Sequence, residues 1–496
     1  MLLRQGATPR PYWASSGHES GPVSTLLLRE AEVDGGRVDV RIEGDRIATV
    51  APPRTASGAD VEIECAGGAL VPGLHDHHVH LLSMAASGGS LDVSSQLDER
   101  IREAHGRALP GAAIRAVHYD DVGEGPLDRW RLDALAPGRA VRVQHRSGAL
   151  WVLSSAALAQ AGVAEQVAVR GGADLSDRVA AGIERDVGGR PTGRLFRLDA
   201  WLHERLAPVD QTDLAAVGRR LASFGITGVT DCTPTAQVDY FETLARAVRT
   251  GTLPLTVVTT GGPELCDVAP PPPLRRGPVK ILVTDHALPS FDDLRAWFTQ
   301  AHHCGRPVAV HCVTRAALLL ALAVWHDVGS MAGDRIEHAS VTPPEVIAAM
   351  AELSLTVVTQ PAFLAARGDL YLSEVDPGDR PDLYRCASLL AGGVAVGGST
   401  DAPFGPDDPW IAVRAANVRR APSGRKVGSD RGLGPAAALH LFLGPLDRPG
   451  GAARRVTPGA PADLCLLDVP LETALRDPSS SHVALTVARG APTFTA

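Results

Sequence analysis

The sequence predicts an α/β protein whose main part is a (β/α)8 TIM barrel. Short apolar runs alternate with helical patterns from about Gly225 to Asp401, which is typical of a parallel sheet covered by helices. Together with an earlier run at Gly68–Leu81 there are eight such runs, the number of strands that closes this barrel. Histidine, lysine or aspartate stands in or at the end of several runs, at the edge where barrel active sites form.

Each predicted strand is a run of apolar or β-branched residues. The eight runs are Gly68–Leu81, Ile226–Asp231, Leu255–Thr260, Val279–Val283, Pro307–His311, Arg335–Ala339, Leu355–Thr359 and Val394–Asp401. Between them, Ser290 with Asp293 forms a capping-box pattern that predicts the start of a helix. Thr342 followed by Pro343 predicts another helix, with proline at its first position.

The segment from about residue 85 to residue 210 is too long for an ordinary strand-to-helix connection. We therefore predict an inserted subdomain that contributes to the substrate pocket. Residues 1–22 are expected to form a loosely docked N-terminal arm. Strand patterns with turn signals then occupy Thr25–Val50 and return near the other end of the chain, from Ala462 to Phe494.

Composition limits the class of protein. The 496 residues include 48 basic and 56 acidic side chains, and this mildly acidic balance argues against a nucleic-acid partner. The seven cysteines form no Cys-x-x-Cys pair, which favours reduced thiols in a cytoplasmic protein. No run approaches the roughly 20 apolar residues of a membrane helix. We expect a soluble protein with no membrane partner; the sequence leaves a homo-oligomer open.

The strongest local motif is His78-Val79-His80. Side chains two residues apart in a strand point to the same side, so both imidazoles can hold one metal ion. By itself the triplet is also compatible with two surface histidines. Three more polar residues strengthen the metal interpretation, because His311, His338 and Asp401 lie at or near predicted strand ends. The alternative is a set of buried polar groups or caps that are satisfied by hydrogen bonds.

Lys280 lies within the apolar run VKILV, where a lone ammonium group would be costly to bury. A carbamate formed with carbon dioxide would make this side chain an anionic ligand that can bridge two metals. Two alternatives remain open at this point. The lysine could pair with a carboxylate, or it could extend its ammonium group to the edge of the barrel.

The ordered set His-x-His, Lys, His, His and Asp resembles the metal-binding set of the amidohydrolase superfamily. VPGLHDHHVH is similar to the first-strand signature of that superfamily, and GRPTGRL and GITGVTD are similar to segments of its third subgroup, which includes N-substituted formamide deformylases. GAPADLCLLD resembles the C-terminal strand entry of its small β-sandwich domain. The resemblance implies such a domain from both chain ends, residues 23–70 and 445–496, around a barrel at residues 71–444.

The resemblance also implies a binuclear centre and a mechanism. His78, His80 and Asp401 would bind one divalent ion, His311 and His338 would bind a second, and a carboxylated Lys280 would bridge the two. A metal-activated hydroxide would attack an amide-type carbon–nitrogen bond, with Asp401 as general base and then general acid. Zinc is the first expectation for both ions, and iron, manganese and cobalt accept the same ligands.

Two departures from the family pattern affect the substrate. Ala149 and Leu153 stand where many relatives carry histidine and asparagine, and the loop after the fourth strand is unusual. His145, His286 and Phe363 are the candidates for lining the pocket. Two other functions stay open: a one-metal hydrolytic deaminase of a cyclic amidine-like substrate, and a scaffold relative that has lost catalysis.

Overall fold

The computed structural model describes residues 25–163, 177–206, 213–234, 238–283 and 288–496. The predicted N-terminal arm and His286 lie outside the described residues. None of the helices in the described ranges combines the length and the apolar character needed to cross a bilayer.

Short strands from both chain ends form two four-stranded sheets around a common apolar core. The strands are β1 (Thr25–Val33), β2 (Gly36–Glu43), β3 (Arg46–Ala51), β4 (Val61–Glu64), β5 (Leu70–Pro72), β21 (Leu464–Leu467), β22 (Val483–Ala488) and β23 (Ala491–Thr495), with helix α17 (Leu471–Arg476) after β21. Their orders are β3-β2-β1-β4 and β23-β22-β21-β5. Leu28 and Val40 of the first sheet are buried together with Leu464 and Val487 of the second, so the two ends of the chain stabilise each other.

The run predicted as the first barrel strand contains two strands in the structure. Leu70–Pro72 pairs antiparallel with β21, whereas β6 (Leu74–Val79) pairs in parallel with β13 (Ile226–Asp231). Gly73 lies between them, and a Cβ at this position would come within 2.2 Å of the Thr227 methyl carbon. Glycine is needed here because the backbone passes so close to Thr227 at the point where the chain changes sheets.

A separate six-stranded sheet occupies the segment for which the sequence predicts an inserted subdomain. Its strands are β7 (Leu91–Asp92), β8 (Ile114–Tyr119), β9 (Val141–His145), β10 (Leu150–Leu153), β11 (Ile183–Arg185) and β12 (Pro191–Phe196). Its helices are α2 (Leu97–Arg107), α3 (Asp121–Glu124), α4 (Arg129–Leu135), α5 (Ser155–Gln160), α6 (Asp177–Gly182) and α7 (Asp199–Arg205). The strand order is β11-β12-β10-β9-β8-β7, and the segment has apolar clusters of its own.

Two further sheets of parallel strands lie at the centre of the molecule. The first sheet has the order β15-β14-β13-β6, with β14 at Thr256–Thr259 and β15 at Arg275–Arg276. The second runs in chain order through β16 (Val279–Leu282), β17 (Val308–Cys312), β18 (Arg335–His338), β19 (Thr356–Thr359) and β20 (Ala395–Gly398). Each of the eight predicted runs therefore coincides with or overlaps one of these strands, and β15 is an additional strand that the sequence did not reveal.

Helices alternate with the central strands, as the hydrophobic pattern predicts. They are α1 (Leu81–Gly88), α8 (Leu214–Ser223), α9 (Val238–Arg249), α10 (Phe291–His303), α11 (Arg315–Val328), α12 (Ile347–Glu352), α13 (Ala362–Glu374), α14 (Cys386–Ala391), α15 (Pro409–Val418) and α16 (Pro435–His440). Short 3-10 turns lie at Pro263–Leu265, Pro344–Val346, Arg380–Asp382 and Ser480–His482. Large side chains such as Phe298, Trp325 and Trp410 are buried in the core that these elements share.

One of the two predicted helix starts is confirmed. The Ser290 hydroxyl accepts a hydrogen bond from the backbone N–H of Asp293 at 3.1 Å, which caps α10. The helix predicted after Thr342 is present, but its start is wrong by one residue, because Pro343 is the cap and a 3-10 turn that leads into α12 begins at Pro344. The Thr342 hydroxyl instead donates to the carbonyl of Ala339 at 2.9 Å.

Backbone hydrogen bonds link the two parallel sheets. The N–H of His80 donates to the carbonyl of Ala402, and the N–H of Asp401 donates to the carbonyl of His78, each at 2.9 Å. The N–H of Lys280 donates to the carbonyl of Gly261 at 2.8 Å. The carboxyl end of β6 therefore lies beside the segment that follows β20, and β16 lies beside the segment that follows β14.

Candidate metal centre

Predicted ligands from the first and last strands meet at one point. Asp401 Oδ1 lies 3.2 Å from His80 Nε2 and 3.5 Å from His78 Nε2. One ligand atom from each of the three residues falls within 4.8 Å of the others, and all three side chains are buried. The ring centroid of His338 lies 4.9 Å from that of His78 and 4.4 Å from that of His311. Sequence positions more than 300 residues apart therefore converge.

The backbone at two of these residues is left-handed. The φ angle is 71° at His338 and 57° at Asp401. Residues other than glycine seldom adopt such angles, and each costs on the order of 1–3 kcal/mol. At His338 the turn has a visible effect, because strand alternation would point Glu337 and His338 to opposite sides. Both side chains instead lie beside His78.

Glu337 holds the ring of His78 from behind. The distance from Glu337 Oε2 to His78 Nδ1 is 2.6 Å, and Arg335 Nε donates to Glu337 Oε1 at 2.6 Å. Although burial acts to raise it, the Arg335 guanidinium and the His78 ring hold the pKa of Glu337 well below its usual range. The carboxylate therefore accepts the Nδ1 proton and leaves Nε2 of His78 free toward Asp401.

Two further polar residues orient the centre. Gln360 Oε1 lies 2.8 Å from His338 Nδ1, and Gln360 Nε2 donates to the Ser399 hydroxyl at 2.9 Å. This chain fixes the tautomer of His338 and frees its Nε2. Asp76 Oδ1 accepts from the N–H of His78 at 3.2 Å and from the N–H of Thr400 at 3.1 Å. It therefore ties β6 to the segment that carries Asp401.

Glu337, Gln360 and Asp76 are not among the residues predicted from the sequence. The available signal was position, because Glu337 directly precedes a predicted ligand and Asp76 stands two residues before another. Gln360 directly follows β19. Of the five strands β16 to β20, β19 is the one for which no metal ligand was predicted. Carboxylates and amides that hold metal-binding histidines commonly come from such positions.

Lys280 is buried in β16 with 2% exposure, and its Nζ has no hydrogen-bond partner among the described residues. Burial and the Lys280 charge lower the pKa of His78 to about 3. Burial, His338 and Lys280 likewise hold the pKa of His311 well below its ordinary value. An unpaired buried ammonium group among neutral imidazoles is costly, so this position suits a lysine whose charge is altered or offset.

The donor set fits a divalent metal. Imidazole nitrogens from four histidines (His78, His80, His311 and His338) and the carboxylate of Asp401 are the ligand types that zinc and related ions prefer. Although burial acts to raise it, the rings of His78 and His80 hold the pKa of Asp401 well below its usual range. The carboxylate is therefore ionised at neutral pH and available as a ligand.

The predicted pocket residues occupy different places. His145 lies in the inserted segment, where Nδ1 is 2.8 Å from the Ser147 hydroxyl and Nε2 is 3.4 Å from Asp121 Oδ1. No described contact brings its ring to the metal-binding residues. Phe363 is buried at the start of α13. The ring of Phe404, which the sequence analysis did not single out, lies 5.3 Å from that of His80.

Comparison with known proteins identifies the family of the chain. A model of the amidohydrolase family matches residues 61–494. The N-substituted formamide deformylase of Arthrobacter pascens is 25% identical over 500 residues, covering 88% of this chain and 89% of the relative.

Solved structures share the fold. A crystal structure of an uncharacterized metal-dependent hydrolase from Pyrococcus horikoshii has a TM-score of 0.71 at 20% identity, covering 93% of this chain and all of the other. N-isopropylammelide isopropylaminohydrolase from Burkholderia multivorans has a TM-score of 0.54 at 16% identity, covering 95% and 98%. The chain therefore belongs to the amidohydrolase family and is a hydrolase that acts on carbon–nitrogen bonds other than peptide bonds.

Proposed function

We propose that this protein hydrolyses an amide-type carbon–nitrogen bond in a small molecule, with divalent metal held by His78, His80, His311, His338 and Asp401. The observation that carries the proposal is the convergence of Asp401 on His78 and His80, at 3.5 Å and 3.2 Å, from opposite ends of the parallel strand series. Such a set at the carboxyl ends of parallel strands is where enzymes of this architecture place their chemistry.

The proposal includes the architecture around the site. We infer that the two parallel sheets form one (β/α)8 barrel over residues 71–444, and that residues 23–70 and 445–496 form a β-sandwich domain. The hydrogen bonds from His80 to Ala402 and from Lys280 to Gly261 support closure on both sides. The shared apolar core of the terminal sheets supports the second domain.

A bound divalent ion would supply Lewis-acid polarisation of the scissile carbonyl and would make water a stronger acid. Within the protein, Asp401 is the group that moves the proton. Its carboxylate would accept a proton from the attacking water and then deliver it to the leaving nitrogen. The fixed rings of His78 and His338 hold the reacting groups in position, since Glu337 and Gln360 restrain them from behind.

We propose that Lys280 is carboxylated and helps to hold a second ion. The buried Nζ without a partner supports this assignment. Metal analysis tests it: the purified protein should contain about two ions per chain, and Lys280→Met should reduce this to one or fewer. One ion per chain in the unaltered protein would favour the alternative of a one-metal deaminase, since a bridging ligand would then have no purpose.

The name of the Arthrobacter pascens relative suggests N-substituted formamides as the first substrates to try. Metal-loaded protein should release formate from N-(2-phenylethyl)formamide. Asp401→Asn should lower kcat by about 10³-fold or more, since general acid–base catalysis commonly contributes about 10²–10⁴-fold and the ligand is also weakened. The matched control is Asp292→Asn on the exposed first turn of α10, which should leave the rate unchanged. An undiminished rate for Asp401→Asn would show that this assignment is wrong.

A further inference from the structure

Arg367 lies on α13, close to the candidate metal centre. Its Nη2 donates to the backbone carbonyl of Arg146 at 2.8 Å and to that of Phe404. Phe404 follows Asp401 by three residues, its N–H donates to the Asp401 carbonyl at 2.8 Å, and its ring lies 5.3 Å from that of His80. Phe404 therefore contacts both the Arg367 guanidinium group and the proposed metal ligands His80 and Asp401.

The guanidinium group of Arg367 is fixed by an aromatic ring on one face and by two backbone carbonyls at one nitrogen. Its carbon lies 4.5 Å from the centroid of the Phe363 ring, which covers one face. The carbonyls of Arg146 and Phe404 both occupy Nη2. The guanidinium charge also acts on the Tyr371 and Tyr384 hydroxyls. Among the described residues, the contacts of Arg367 with backbone carbonyls all use Nη2, which leaves Nη1 available to another acceptor.

Other arginines with carbonyl partners are different. Arg306 is buried and uses Nε, Nη1 and Nη2 on backbone carbonyls, and Arg419 is buried and uses Nη1 and Nη2. Those two arginines satisfy backbone groups inside the protein. Arg367 is only partly buried, and no carboxylate in the described part of the chain forms an ion pair with it. It is a fixed positive charge whose Nη1 is still available as a donor.

A series of hydroxyl groups connects the neighbourhood of Arg367 with that of His338. The Tyr371 and Tyr384 hydroxyls are 3.1 Å apart, and the Ser340 hydroxyl donates to that of Tyr384 at 3.2 Å. Burial raises the pKa of both tyrosines, so both remain protonated at neutral pH. Ser340 follows His338 by two residues. The region between Arg367 and His338 is therefore rich in hydrogen-bond donors.

From this geometry we propose that Arg367 binds a carboxylate group of the substrate, which makes the substrate class an amide that carries a carboxylate near the scissile bond. This proposal rests on the proposed function. A guanidinium group stays protonated, and its remaining N–H donors can form a charge-assisted hydrogen bond with a carboxylate. A phosphate would call for more positive charge, and the neighbouring Arg146 is already paired with Asp120 at 3.1 Å.

A matched pair of formamides tests the proposal. Racemic N-formylphenylalanine and N-(2-phenylethyl)formamide differ only in the carboxylate. The metal-loaded protein should show a kcat/KM for the acid at least about tenfold above that for the neutral compound, because a charge-assisted contact is worth about that much. Arg367→Met should lower kcat/KM for the acid by about tenfold or more, mainly through KM, and change the neutral compound by less than about threefold. Arg367→Lys should restore part of the loss.

Two results would overturn the proposal. Equal losses for both compounds in Arg367→Met would mean that Arg367 only holds the Arg146 turn and the Phe404 segment in place. A preference of the unaltered protein for the neutral compound would do the same. The control is Arg295→Met, whose guanidinium pairs with Asp327 on the surface at 2.7 Å and which should affect neither compound.

A binding measurement separates this inference from the proposed function. Calorimetric titration of Asp401→Asn protein with N-formylphenylalanine measures the contact without turnover. Binding that disappears in the double variant with Arg367→Met supports the carboxylate site even if neither formamide is hydrolysed by the unaltered protein. Binding that is unchanged in the double variant contradicts the role of Arg367, whatever the activity.

Discussion

Strand β6 carries histidines on both faces, and the two faces have different surroundings. His78 and His80 point toward Asp401, and Nδ1 of His78 lies 2.6 Å from Glu337. His75 and His77 alternate with them and point the other way. Nε2 of His75 and both ring nitrogens of His77 have no hydrogen-bond partner among the described residues. The residue type is the same on both faces, so the carboxylates of Glu337 and Asp401 distinguish the face that we propose binds metal.

The burial of His75 and His77 with unsatisfied ring nitrogens is tolerated because both rings are uncharged. Burial lowers the pKa of His77 to about 3 and holds that of His75 well below its ordinary value. Both rings are therefore neutral at neutral pH and pack as flat, weakly polar groups. His75 keeps one contact, from Nδ1 to the Gly444 carbonyl at 2.9 Å. His77 loses its hydrogen bonds to water without replacement, which is unfavourable.

The largest difference between the faces should appear when one ligand is removed. His78→Leu should abolish binding of at least one metal ion and lower hydrolysis by about 10³-fold or more, since the reaction depends on the metal. His77→Leu is the matched control on the adjacent residue and should keep the metal. Metal analysis with formate release measures both. Equal metal loss in the two variants would contradict the assignment of the faces.

A smaller effect should follow from removing the carboxylate behind His78. Glu337→Gln keeps the shape but weakens the contact with Nδ1, and such partners commonly contribute about 10–100-fold to metal affinity. Titration with a competing chelator should show a loss of that size. Asp369→Asn is the control, because within the described ranges the hydrogen bonds that the Asp369 carboxylate accepts come from Ser423 and not from a proposed ligand. An unchanged metal affinity in Glu337→Gln would mean that Glu337 pairs with Arg335 but does not contribute to metal binding.

The smallest effect should be on stability. His77→Leu replaces a buried ring without hydrogen bonds by an apolar side chain. The free energy of unfolding should stay the same or rise by about 1 kcal/mol, because no hydrogen bond is lost and an unsatisfied polar group is removed. Denaturant unfolding of the apo form measures it. A loss above about 2 kcal/mol would show that the ring of His77 has a stabilising interaction.

Much of the centre could be predicted because parallel strands end at one edge. A histidine that ends an apolar run, such as His311, is therefore placed near His78 by topology alone. Glu337 was missed because the alternation rule points it away from His338, and the left-handed backbone at His338 breaks that rule. Arg367 was missed because its helix position says nothing about carbonyl groups from the inserted segment.

Local patterns also failed at two positions. Gly68–Leu81 reads as one strand, but the close approach of Gly73 to Thr227 divides it between two sheets. Thr342 and Pro343 read as a helix start, but the hydroxyl is used by the Ala339 carbonyl. At Gly73 the deciding partner is distant in sequence, so that no short window contains it. Ala339, by contrast, is only three residues from Thr342, and there the pattern failed because the hydroxyl forms a different local hydrogen bond.

The division at Gly73 gives the terminal sheets a mechanical role. β5 is braced on one side by β21 near the C-terminus, and only one residue separates it from β6, which carries His78. Loosening the last strands of the chain would thus remove the support of β5, and with it the support of the neighbouring strand β6. The terminal strands therefore help to fix the position of β6 and of the metal ligands that we propose on it, in addition to forming sheets of their own.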